Sequence, residues 1–231
     1  MTTSSPALRV TSVWKRFGSR DALAGVSLEA PRGACLALLG HNGSGKTTLL
    51  RILSTLWQPT EGDVEVLGYS LEKQSSEVRA RIGVVLDRHL LPRDFSLRDG
   101  LQMYADLHAV PDAAARIEGL AERLGLARRL RDPVRTFSRG MGQRASICRA
   151  LLHDPEMLLL DEPFTGLDAA ALDVTESVIE EIKQDGRTVV LVTHDLERAA
   201  RLATHAVVLS NGRKVFEGDP VEAASAAGSA S

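Results

Sequence analysis

An α/β fold with a mainly parallel sheet is predicted by three features of the sequence. Short apolar runs alternate with helical patterns from about residue 34 to 210, the pattern of parallel strands flanked by helices. Before them, "LRVTSVWKRF", "AGVSLEA" and "GDVEVLG" alternate apolar and polar residues, which predicts an N-terminal antiparallel β subdomain beside the core. Between residues 88 and 155 only helical periodicity remains, so a helical subdomain is inserted between two strands of the core.

The elements follow in chain order. "ACLALLG" is a continuous apolar run, short enough for a strand buried on both faces. In the insertion, Leu97, Leu101 and Tyr104 recur at helical spacing after Ser96, with Asp99 placed as an approximate capping-box partner. Pro111 suits the first turn of a second helix through Ile117, Leu120 and Leu124. A third helix opens at "FSRGMGQR", where Ser138 can cap; Gly142 has no reason of its own in the sequence. "MLLLDEP", "TVVLVTHD" and "HAVVLSNG" read as buried strands, with helices near 169–184 and 195–203 between them. At 231 residues this is one domain over 1–221, in which 7–87 and 156–220 form the core with its β subdomain and 88–155 the insertion. The small polar tail 222–231 has little to bury and is expected to be disordered.

Composition narrows the function classes. A net charge of −2 gives no electrostatic reason to expect nucleic acid, and the densest basic run, "ARRLRDPVR", lacks interleaved aromatics and reads as a solvated face. Cys35 and Cys148 are far apart with no metal-binding spacing, as in a reduced cytosolic protein. No run is long and apolar enough for a membrane span, and the N-terminus has no signal-peptide pattern. Any membrane role is expected to run through a partner.

The chemistry concentrates at strand ends. "GHNGSGKTT", comprising Gly40, His41, Asn42, Gly43, Ser44, Gly45, Lys46, Thr47 and Thr48, follows a buried strand and precedes an apolar helix. It fits GxxxxGK[ST], in which backbone N–H groups curl around phosphates, lysine reaches the outer phosphates and Thr47 holds Mg²⁺. "MLLLDEP" delivers Asp161 to the same metal shell and leaves Glu162 to polarise an attacking water. "LVTHD" puts His194 at a neighbouring strand end, within reach of a γ-phosphate. Trp14 and Phe17, two of nine aromatic residues, fit either the core of the edge sheet or a face stacking on adenine.

Taken together, "GHNGSGKT", "MLLLDEP", "GLD" with Asp168, "THD" and "FSRGMGQR" resemble the ATP-binding cassette family over most of the chain, from about Leu8 to Pro220. The resemblance implies the P-loop NTPase fold of that family with a RecA-like core, and ATP and Mg²⁺ as ligands. It implies Phe17 as the adenine-stacking aromatic, Glu162 as the catalytic glutamate and His194 as the γ-phosphate sensor. Ser138, Gly140 and Met141 would belong to a signature that closes on ATP held by a second subunit, so a homodimer or a pairing with a homologous cassette is implied. Met141 stands where the family more commonly has Gln. The loop entering the helical insertion usually carries a Gln, for which this sequence offers Asp87 or Arg88, and a non-hydrolysing regulatory subunit stays open on that account. The implied function is that of an ATP-hydrolysing subunit powering an integral membrane permease from the cytoplasmic face of the membrane. Its phrases are most similar to haem-exporter subunits of cytochrome c maturation. The alternative is the ATPase of a drug, antibiotic or other ABC-2 type exporter, and a soluble cassette acting on nucleic acid is the rival of a different class.

Overall fold

Two sheets sandwich one helix, and the larger sheet carries the helical insertion on its other face. The computed structural model describes residues 5–86 and 90–229. The chain runs β1 (Leu8–Phe17), β2 (Arg20–Ala30), β3 (Cys35–Leu39), α1 (Lys46–Leu53), β4 (Glu61–Val66), β5 (Tyr69–Ser70), α2 (Ser75–Arg81) and β6 (Ile82–Val85). The insertion holds α3 (Leu97–Leu107), α4 (Ala113–Arg123) and α5 (Arg139–Leu151). The core resumes with β7 (Met157–Asp161), α6 (Ala169–Gln184), β8 (Thr188–Val192), α7 (Leu196–Leu202), β9 (His205–Ser210), β10 (Arg213–Gly218) and α8 (Pro220–Ser229).

The smaller sheet has the order β2-β1-β4-β5 and is antiparallel throughout, as the alternating patterns predict. The larger has the order β10-β9-β3-β8-β7-β6, parallel except for β10. Every residue of β3, β7 and β8 is buried, which explains why these strands are apolar without alternation. Leu49, Leu50, Ile52 and Leu53 of α1 pack with residues of both sheets, and each such burial contributes about 1.5–3 kcal/mol. The other face of the larger sheet is covered by α3, α4, α5 and α6, in one cluster that includes Leu101, Ile117, Ile147 and Ile179.

In the insertion, Ser96 caps α3 as expected: Asp99 N donates to its Oγ at 3.1 Å, and its hydroxyl donates to Asp99 Oδ2 at 2.6 Å. The second helix starts later than Pro111 suggests, because Asp112 turns left-handed at a φ of 48° and α4 begins at Ala113. In the basic run, Arg129 pairs with Asp132 at 2.8 Å and Arg135 with Asp94 at 3.6 Å, which fits a solvated face.

The tail departs from expectation. Residues 222–229 are not disordered; they continue α8, with Ala223 and Ala227 buried against β3, β9 and α7. Asp219 Oδ1 accepts from Val221 N at 2.8 Å and so starts the helix. Alanine is the best helix former, and residues four apart share a face, so a small-residue tail can dock where composition suggested nothing to bury. Among the described residues no helix is long and apolar enough to cross a membrane.

Candidate nucleotide-binding site

Because β3, β7 and β8 are adjacent and parallel, their C-terminal ends fall on one edge of the sheet. Gly40 follows β3, Asp161 ends β7 with Glu162 next after it, and Thr193 and His194 follow β8. Ligand sites of open α/β sheets form at this edge.

The loop from Gly40 to Gly45 is wound in ways that require glycine. Gly40 has a φ of 135°, and a Cβ there would lie 2.1 Å from Leu209 O. Gly45, at a φ of 111°, precedes α1 without supplying a side-chain cap. The first N–H groups of α1 are thereby left for an anion, at the positive end of the helix. Lys46 is buried, and its ammonium donates to Gly40 O at 2.6 Å and His41 O at 2.9 Å. Burial pulls its pKa below the usual lysine value, and Glu162 and Asp161 oppose that shift.

Thr47 donates from Oγ1 to Asp161 Oδ1 at 3.2 Å, with Asp161 itself buried. Glu162 adopts a φ of 49°, unusual for a side-chain-bearing residue. Its Oε2 lies 2.8 Å from His194 Nδ1, and Thr165 Oγ1 donates to the same oxygen at 3.4 Å. Beside these groups a cavity of about 390 Å³ opens, and both Phe17 and Glu162 line it. Phe17 is 45% exposed and meets Trp57 edge-on, with centroids 5.1 Å apart.

Asp161 and His194 are not on the cavity wall but reach it through Thr47 and Glu162, and the other expected residues divide into three groups. Phe17, Asn42, Gly43, Gly45, Lys46, Thr47, Thr48 and Glu162 line the cavity. Gly40, His41 and Ser44 belong to the same loop but are not on the cavity wall, and Ser44 Oγ is fully buried with no hydrogen-bond partner among the described residues. Ser138, Gly140 and Met141 lie on α5 and are not on the cavity wall. Ser138 caps α5 by accepting from Met141 N at 3.3 Å. The space beside Gly140 is closed by Ala171 Cβ, 3.2 Å from where a Cβ would sit, so this glycine lets α5 approach α6. Gly142 is buried, and its carbonyl accepts from Ser146 Oγ at 3.0 Å. Trp14 lies over neither the cavity nor Phe17, but under Arg16 and Arg213. Asp87 and Arg88 lie outside the described residues.

Arg20 and Ala22 also line the cavity, and neither follows from motif reading. The two-residue gap in "FGSR" was the available signal for Arg20, since such a gap predicts a tight hairpin that brings it opposite Phe17. The donor set suits the ligands that the motifs imply. A hydroxyl and a carboxylate 3.2 Å apart offer Mg²⁺ the hard oxygens it prefers, with phosphate oxygens supplying others.

Known proteins similar to this chain fall in one family. Residues 23–165 match the family described as "ABC transporter". The chain is 37% identical to the Nod factor export ATP-binding protein I of Ralstonia nicotianae, covering 95% of this chain and 69% of that one. It is 38% identical to the daunorubicin resistance ATP-binding protein DrrA3 of Streptomyces coeruleorubidus, covering 92% and 68% respectively. It is 34% identical to the ABC transporter ATP-binding protein NatA of Bacillus subtilis, covering 91% and 89%. Among solved structures, an ATP-binding cassette dimer in a post-hydrolysis state bound to ADP and Pi superposes with a TM-score of 0.84. It is 26% identical, over 92% of this chain and 98% of that one. With a match over most of its length and this extent of likeness, the chain belongs to the ABC transporter family, as one of its ATP-binding subunits.

Proposed function

We propose that this chain hydrolyses ATP to power an exporter of the ABC-2 type. The observation that carries the hydrolytic reading is the Glu162 carboxylate, held by His194 on the wall of the cavity that Lys46 and Thr47 also line. In this reading the N–H groups of the loop and of α1 bind the phosphates, and Lys46 turns from its carbonyl partners to the outer ones. Thr47 and Asp161 would hold Mg²⁺, which would supply neutralisation of the phosphate charge. Glu162 accepts a proton from water as the water oxygen bonds to the γ-phosphorus and the bond to ADP breaks. His194 keeps the Glu162 carboxylate aimed during that step and presents its second ring nitrogen to the γ-phosphate.

Phe17 supplies a face for adenine. Ser138, Gly140 and Met141 complete the site of a second subunit, which accounts for their position away from this chain's own cavity. A membrane permease is the partner that the ATP cycle would drive.

The relatives named for Nod factor and daunorubicin export support the exporter alternative, and haem export draws no support from them. Phosphate release by the purified chain, alone and with its permease, tests the ATPase; no release in either state would leave a regulatory subunit. Deleting the gene and measuring tolerance to a drug panel beside covalent c-type cytochromes tests the cargo class. Lost cytochromes with unchanged tolerance would return the reading to haem delivery.

A further inference from the structure

The nucleotide cavity has a second cation that no motif assigns. Phe17 and Arg20 are paired across the two-residue turn between β1 and β2, with Gly18 at a φ of 57°. Directly opposed residues of an antiparallel pair present their side chains on one face. The turn therefore delivers a ring and a guanidinium together, and both line the cavity.

Arg20 differs from the arginines around it. Arg16 pairs with Asp21 at 3.1 Å and with Glu61 at 2.7 Å, and Arg9 with Glu29 at 2.7 Å and Glu65 at 3.0 Å. Arg20 has no hydrogen-bond or ion-pair partner among the described residues, and it is not engaged with an aromatic ring. Its Nη2 is 3.6 Å from the position of a Cβ on Gly43, within the phosphate loop. The guanidinium thus stands over the loop and not along the strand. Lys46, the other cation on the wall, is turned back onto Gly40 O and His41 O.

We propose that Arg20 binds the nucleotide through its phosphate chain, at the Gly43 edge of the loop. This rests on the ATP-binding reading above. A planar guanidinium matches two phosphate oxygens at once, and Arg20 gives up no internal partner to make that contact. Because Arg20 is the cross-strand neighbour of Phe17, one hairpin supplies both contacts, stacking to the base and charge to the phosphates.

The test compares ATP with inorganic triphosphate, which has no base, by calorimetric titration of wild type, Arg20→Ala, Arg20→Lys and Phe17→Ala. Arg20→Ala is expected to weaken both ligands about tenfold, as for loss of a charge-assisted contact, and Arg20→Lys to recover part of that loss. Phe17→Ala is expected to weaken ATP alone. Because Arg20 is exposed, the ligand-free thermal midpoint of its variants should match wild type. Unchanged affinities in Arg20→Ala, or a loss for ATP with none for triphosphate, would overturn the phosphate contact. Wild-type protein that binds neither ligand would instead overturn the nucleotide reading beneath it.

Discussion

His194 Nδ1 lies 2.8 Å from Glu162 Oε2, although the two residues are 32 positions apart in sequence. Parallel pairing of β7 with β8, in which Asp161 is opposite Val192, sets their spacing, because each residue leaves its strand at the same edge. Glu162 N also donates to Val192 O at 2.9 Å, which fixes the backbone from which the carboxylate projects.

Glu162→Gln should bind ATP with near wild-type affinity and lose about 10²–10⁴-fold in turnover, the usual range for removing a general base. It should accumulate as an ATP-bound dimer in size-exclusion chromatography. His194→Ala should lower kcat more than it alters ATP affinity. Single-turnover phosphate release reads both, and wild-type rates in Glu162→Gln would sink the assignment.

Ser138→Ala removes the hydroxyl that caps α5 and should cost about 1 kcal/mol. For a chain of this size that is a fall of roughly 2–4 °C in thermal midpoint. Ser138→Asp should restore the midpoint, since aspartate caps as well as serine. It should not restore ATP-driven dimerisation, because a carboxylate would face phosphate across the interface. Light scattering with ATP separates the two roles of this serine.

Gly40→Ala is expected to be the most damaging single substitution in the loop. The added methyl would meet Leu209 O at 2.1 Å on a backbone with a φ of 135°, a combination that costs about 3 kcal/mol or more. Gly68→Ala is the matched control, for at a φ of 88° it has left-handed strain but no neighbour within 4 Å, so about 1 kcal/mol is expected. Urea unfolding of the two variants measures the difference.

His153 makes stability dependent on pH. Burial, the stacked ring of His108 at 4.1 Å and nearby Arg149 push its pKa from the ordinary 6.5 down to about 4. The unfolded chain therefore takes up the proton first, and this contribution to stability is complete above pH 6.5 and is lost as pH falls towards 4. Denaturant midpoints measured between those limits should fall with pH in wild type. His153→Gln should flatten that fall; an unchanged slope would remove His153 as its source.

Much of this was legible locally. The glycine spacing from Gly40 to Gly45 encodes a loop that only positive φ values can build, and the apolar runs of β3, β7 and β8 encode burial on both faces. Ser96 and Asp99 announced their capping box because its partners are three residues apart. The alanine tail misled because composition records how little each residue buries and not whether a surface waits for it. Arg20 was missed because its significance lies in a hairpin partner and in having no counterion among the described residues, and neither is a motif.

The sequence by itself determined which groups stand at each strand end: a glycine-rich loop with its lysine, two acids and a histidine. Only the tertiary structure decided which of them meet. The strand order β3-β8-β7 brings Thr47 to Asp161 and Glu162 to His194, and leaves Ser138 on a helix away from the cavity. The reason is that strand order arises from packing between distant segments, which no local pattern of residues encodes.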